Sequence, residues 1–187
     1  MNETISLINS INNVKDMMNN TFQLLKDLDT SLSKHEFQPI YGNALATETS
    51  KSIYPSTRYS TFFPQYIARP YALHTDLEAN KVRKILFSNV QFFHVDYEEI
   101  PPTLINSVII LPEEVSNIRS VIESWWLKEI VYETVKWGNV LKNGEMNECK
   151  EAGYKTFFWC RELVDLNSVK DIQTEVERLV DIFNKEN

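Results

Sequence analysis

Two of the three histidines stand in one short pattern, His74-Thr75-Asp76 and His94-Val95-Asp96. On an extended strand, side chains two residues apart share a face. Each pattern then sets an imidazole beside a carboxylate, the pairing that a metal site or a His–Asp acid–base couple uses. Two three-residue matches arise easily by chance, and the plainer reading is a surface histidine next to an acid. Carboxylates also gather at Asp96, Glu98, Glu99, Glu113 and Glu114, followed by Glu129 and Glu133. Clustered carboxylates hold Mg²⁺ in nucleases. The spacing here fits no nuclease motif, and a solvated acidic rim accounts for it. No metal and no cofactor is expected, and no residue is assigned a catalytic role.

The segment 54–74 is the most unusual stretch. It carries Tyr54, Arg58, Tyr59, Phe62, Phe63, Tyr66, Arg69, Tyr71 and His74. From Lys34 to Lys84 inclusive there are seven Lys or Arg against four Asp or Glu, in a chain whose formal charge is −7. Arginine forks pair bidentately with phosphate or carboxylate, and aromatic faces stack bases. Arg58, Tyr59, Tyr66, Arg69 and Tyr71 are therefore the candidate ligand-binding residues, for a small anionic, nucleotide-like ligand. The competing reading is structural: the rings pin a proline-punctuated segment to a sheet, and the arginines pair with the chain's surplus acids.

Several chemistries are excluded. Phosphate loops need glycines so that backbone amides can approach the anion. The chain has four glycines, at 42, 138, 144 and 153, and no glycine-rich nucleotide motif. The serine-hydrolase elbow and the helical zinc-protease motif are absent as well. The two cysteines, Cys149 and Cys160, form no C-x-x-C pair, which removes zinc ribbons and thioredoxin-like redox motifs. The net negative charge opposes duplex nucleic acid, whose non-specific affinity comes from Lys and Arg on phosphates. Met1-Asn2-Glu3-Thr4 lacks the basic and apolar regions of a secretory leader, and no apolar run approaches a membrane span. The expectation is a cytoplasmic chain with reduced thiols, bound to no membrane.

The elements that must position these residues follow from patterning. Its 187 residues suit a single α+β domain spanning 1–187. Leu7, Ile11, Val14, Met18, Thr21, Leu25, Leu28 and Leu32 alternate spacings of four and three, which predicts a long helix over 3–34. Such a rod is about 45 Å long, while a domain of this size is about 40 Å across. The helix therefore spans the domain or overhangs it, and an overhang would leave apolar side chains in need of a partner. In the Pro- and aromatic-rich segment 37–74, one short strand near Ile40–Thr47 is expected, then irregular or edge-strand backbone. Residues 82–111 read as a β-hairpin, with a strand over 82–97 bulged near the polar Ser88, Asn89 and Gln91. Pro112-Glu113-Glu114 starts a helix over 112–127, in which the adjacent Trp125 and Trp126 cannot both face one core. Residues 128–166 should hold strands (Ile130–Trp137 and Tyr154–Leu166, with Trp137 and Trp159 in the core) and a mobile loop over 142–153. Ser168 and Asp171 form a capping-box signature for a helix over 168–184. The fold expected is a long N-terminal helix, a mostly antiparallel sheet, a middle helix and a C-terminal helix packed on that sheet.

Three functions compete. The first is a non-enzymatic interaction or protein-binding module, homo-oligomeric through the N-terminal helix. The second is a sensor or sequestering protein for a small anionic ligand. The third is a metal-dependent hydrolase or nuclease built on His74, Asp76, His94 or Asp96.

Overall fold

The computed structural model describes residues 3–47, 64–93, 100–122, 144–151 and 153–186. Helix α1 runs Glu3–Ser33 without a break, as the four-three spacing requires. Strands β1 (Phe37–Pro39) and β2 (Ala46–Thr47) follow, then β3 (Tyr66–Leu73), helix α2 (His74–Ala79), β4 (Val82–Gln91), β5 (Thr103–Val115) and helix α3 (Ile118–Val121). Strands β6 (Asn147–Glu151) and β7 (Tyr154–Glu162), a 3-10 turn at Leu163–Asp165 and helix α4 (Val169–Lys185) complete the described chain. The sheet is antiparallel in the order β1-β3-β4-β5-β7-β6, with β2 also pairing β3. This is an α+β fold.

Helices α1 and α4 cover one face of the sheet. Leu25, Leu28 and Leu32 of α1 and Ile172, Val176, Leu179 and Phe183 of α4 share a core with Ile67, Tyr71, Leu86, Val90, Leu104, Val108, Phe157 and Trp159. The alternate residues Ala68, Ala72, Ile85, Phe87 and Ile109 point to the opposite face and pack with Ile118 of α3 and Ile40. Ser168 caps α4 as its sequence predicts, accepting from the Asp171 amide at 3.3 Å while Asp171 Oδ2 accepts from the Ser168 amide at 2.9 Å. The Ser168 hydroxyl, which donates to Asp171 Oδ2 at 2.7 Å, and then the Ser168 and Asn167 amides hold the Asp171 carboxyl below its ordinary range. At the other end Lys84 Nζ donates to the carbonyls of Phe183 and Glu186, taking up acceptors that a helix C-terminus leaves unpaired.

Several expectations are corrected. Of the strand expected at Ile40–Thr47 only Ala46–Thr47 is extended in the sheet; β1 ends before it at Pro39, and a turn follows in which Gly42 adopts a positive φ of 59°. The stretch expected to be irregular contains β3, an interior strand flanked by β1 and β2 on one side and β4 on the other. Pro70 is tolerated there because its carbonyl accepts from the Ile40 amide. Its missing N–H faces the same side, toward the gap between β1 and β2 where no ladder partner is required. Ser88, Asn89 and Gln91 pair in register with Asn106, Ile105 and Thr103, and the irregularity falls between Val82 and Lys84 instead. Pro112-Glu113-Glu114 extends β5, because Val115 pairs with Val82. The middle helix begins only at Ile118, where Asn117 caps it. Residues 147–151 form β6 on the edge of β7 rather than a loop, and β7 stops at Glu162 in the 3-10 turn. Trp125, Trp126, Trp137, the Ile130–Trp137 strand and the part of the middle helix beyond Ile122 lie outside the described residues.

Candidate functional site

Three clusters hold the residues that could act, and the first contains Arg69 and Tyr71. Both are odd-numbered positions of β3 and face α1. Arg69 is 5% exposed and Tyr71 is fully buried. The Arg69 guanidinium grips Asp29 of α1 in a fork, Nε to Oδ1 at 2.7 Å and Nη2 to Oδ2 at 2.6 Å, and Nη1 donates to the Ala44 carbonyl at 3.0 Å. The Tyr71 hydroxyl donates to Asp29 Oδ1 at 2.8 Å. Burial lowers the Arg69 pKa, but the hydrogen bond and charge of Asp29 outweigh it and leave a net rise. Burial, then the Asp29 charge, push Tyr71 well above its usual value near 10. The anion that this arginine binds is thus a carboxylate of the same chain. Tyr66 is an even-numbered neighbour and packs on the opposite sheet face. The structure brings Arg69 and Tyr71 together and keeps Tyr66 apart; Arg58 and Tyr59 lie outside the described residues.

The second cluster has no counterpart in the sequence reading. Glu175 of α4 is 5% exposed. It accepts from the Trp159 indole and from Asn106 Nδ2, and Arg161 Nε lies 3.6 Å from its other oxygen. Ser88 Oγ donates to Asn106 Oδ1 at 2.8 Å, and the Arg178 guanidinium stacks 4.5 Å over Trp159. On the opposite face Asn89 donates to Gln91 at 3.1 Å, both buried. The polar residues that interrupt β4 are therefore paired side chains in a regular ladder. Each of the two helices on the sheet is fixed by one acid, Asp29 or Glu175.

His74 and Asp76 do not share a strand face. They open α2, and His74 Nε2 meets Glu78 at 3.2 Å one turn on. Desolvation raises the Asp76 pKa. His94 and Asp96 lie outside the described residues. Among the described residues no group of three His, Cys, Asp or Glu side chains could hold a metal, and no helix is long and apolar enough to cross a membrane. The cysteines form no disulfide; Cys160 is buried, and burial raises its thiol pKa.

The third cluster is the surface of α1. Burial on the sheet begins at Thr21 and continues through Leu25, Leu28, Ser31 and Leu32. Before it, Ile5, Leu7, Ile8, Ile11 and Val14 are 44 to 62% exposed, and Phe22 is 38% exposed. Met17 and Met18 already pack against this core while staying partly exposed, so residues 3–16, about 21 Å of helix, lie beyond it. Where the overhang leaves the domain, a groove of about 780 Å³ opens between α1 and the 163–172 segment. It is lined by Met17, Leu24, Val90, Leu163 and the exposed Val164 and Val169. The sequence signal for this surface was the length of the stripe set against the width of the domain. Comparison with known proteins finds no matching family, no matching curated protein and no matching solved structure.

Proposed function

We propose that this chain is a non-enzymatic interaction module that self-associates through the N-terminal half of α1. The observation that carries this reading is the exposed apolar stripe Leu7, Ile8, Ile11 and Val14, on a helix whose later turns bury the same stripe in the core. A contiguous apolar surface of this kind marks a contact with another macromolecule. The anionic-ligand reading loses one of its two arginines to Asp29 and would have to stand on Arg58 and Tyr59.

Covering a half-exposed aliphatic side chain contributes about 1 kcal/mol. Two copies together offer about a dozen such side chains, against an association cost of about 4–15 kcal/mol. The net is at best about −8 kcal/mol, so a dimer that dissociates at micromolar or higher concentration is expected. Sedimentation velocity from about 1 to about 200 µM tests it, a span that brackets micromolar affinity. The sedimentation coefficient should rise with concentration, and Leu7→Glu/Ile11→Glu should hold the protein at the monomer value without moving its melting temperature. Wild-type protein that stays monomeric throughout refutes the self-association.

A further inference from the structure

We infer that two copies pair their α1 overhangs antiparallel, with Leu7 against the partner's Met18 and Ile11 against the partner's Val14. This rests on the self-association proposed above and specifies its geometry. Leu7, Ile11, Val14 and Met18 lie on one helical stripe with Thr21, Leu25, Leu28 and Leu32, the residues spaced by four and three. From Thr21 onward that stripe is buried by the chain's own core, and Met18 packs partly against it while keeping an exposed face. A parallel partner lying along the overhang would continue, as an unbroken rod to Ser33, into the space that this sheet fills. It would also carry its own sheet there. An antiparallel partner runs the other way, and its domain emerges beyond the free tip of the first helix.

The same constraint sets the register. Antiparallel helices stack layers in which the two residue numbers have a constant sum. Opposing Leu7 to Met18 makes that sum 25, which also opposes Ile11 to Val14 and Thr4 to Thr21. The free tip then ends where full burial of the partner's helix begins at Thr21, so each overhang lies along the other and reaches the partner's partly buried Met18. Lys15 falls beside the partner's Ile8, and Glu3 beside the partner's Leu24, so no like charges meet. The exposed edge of Phe22 lies beside the partner's tip.

The area agrees with a dissociable contact. Leu7, Ile8, Ile11, Val14, Met18 and Phe22, partly exposed in each copy, bury about 600 Å² of apolar surface per pair at about 50 Å² each. At the apolar fraction usual in homodimers this is about 1,000 Å² in all, the low end of specific interfaces.

Disulfide trapping in a Cys149→Ser background tests the geometry. Cys160 is buried and its thiol pKa raised, so it does not compete. Mixed Leu7→Cys and Met18→Cys proteins should cross-link to each other under mild oxidation, and Leu7→Cys alone should not. In the antiparallel pair two Leu7 positions lie about 16 Å apart along the axis, beyond disulfide reach. A spin label at the outward-facing Ile5→Cys gives a second reading, with an axial separation of about 22 Å between copies. Efficient cross-linking of Leu7→Cys to itself, or a label separation far below that value, overturns the antiparallel pairing while leaving self-association intact. A protein that is monomeric under the same conditions refutes both.

Discussion

Removing the Asp29 carboxylate tests how α1 is held to the sheet. In Asp29→Ala the Arg69 guanidinium keeps its bond to the Ala44 carbonyl and loses both fork bonds. The Tyr71 hydroxyl loses its acceptor. Breaking a buried pair by deleting one partner costs about 3–5 kcal/mol, because a buried charge is left unmatched. The Asp29 side chain is 28% exposed, so water reaches the vacated space and the lower end, about 3 kcal/mol, is expected. For a chain of this length that is a fall of about 6–12 °C in melting temperature. Urea denaturation followed by far-ultraviolet circular dichroism gives the free energy directly. Replacing both partners, Asp29→Leu with Arg69→Met, should recover most of the loss, since nothing charged is then stranded. Inorganic phosphate should stabilise Asp29→Ala by entering the vacated fork and should leave the wild type unmoved. A single variant within about 0.5 kcal/mol of wild type, the size of an ordinary surface change, would refute the assignment. So would wild-type protein stabilised by phosphate to the same extent as the variant.

Two further outcomes follow from the same face of the sheet. Glu175→Ala strands the Trp159 and Asn106 donors and should cost about 2–4 kcal/mol, with Glu175→Gln milder because an acceptor remains; equal losses in chemical denaturation would argue against a hydrogen-bonding role. The folded-state pKa of Tyr71 is raised above its usual 10, so its contribution is complete below that pH and is lost as pH climbs through the raised value. Tyr71→Phe should therefore be less stable at neutral pH and lose less on titration from about pH 9 to about pH 11.5; parallel stability curves for the two proteins would count against the burial of that hydroxyl.

The helix periods were legible in the sequence, and what each helix touches was not. The four-three spacing from Leu7 to Leu32 reports one stripe, but it cannot say that Thr21 onward meets a sheet while Leu7 to Val14 meets none. Local signals failed where a distant strand overrode them. Pro112-Glu113-Glu114 has the chemistry of a helix start, yet pairing of Val115 with Val82 keeps it extended. Pro70 reads as a breaker until its carbonyl is seen bonded to the turn at Ile40. Ser88 looks like a defect in an apolar strand because its partner Asn106 is 18 positions away and the acid that Asn106 bonds, Glu175, is 69 further on, whereas Asn89 and Gln91 bond each other across two positions on the opposite face. Arg69 carried a genuine anion signal, and its anion, Asp29, is 40 positions upstream. Of the five candidate ligand residues, the two that come together do so around that acid.

The Asp29–Arg69 fork also bears on the overhang, since apolar side chains repeating at heptad spacing do not by themselves fix where along a helix a sheet must begin. Sliding α1 by one heptad would set another stripe residue over β3 at little loss of apolar contact. A bidentate pair tolerates no such shift, because the fork and the Tyr71 hydroxyl must meet one carboxylate. Buried polar groups specify register in this way in some helical assemblies. The length left free, residues 3–16, is then set by a polar key 13 residues beyond its end, Asp29, and the sum-of-25 register depends on that length. The apolar double variant of Asp29 and Arg69 separates the two roles of the fork. It should recover stability but populate more than one helix position, giving doubled amide resonances for α1 and a mixture of Leu7→Cys to Met18→Cys cross-links with pairs shifted by a heptad. A single set of resonances and an unchanged cross-link would mean that apolar packing alone sets the register.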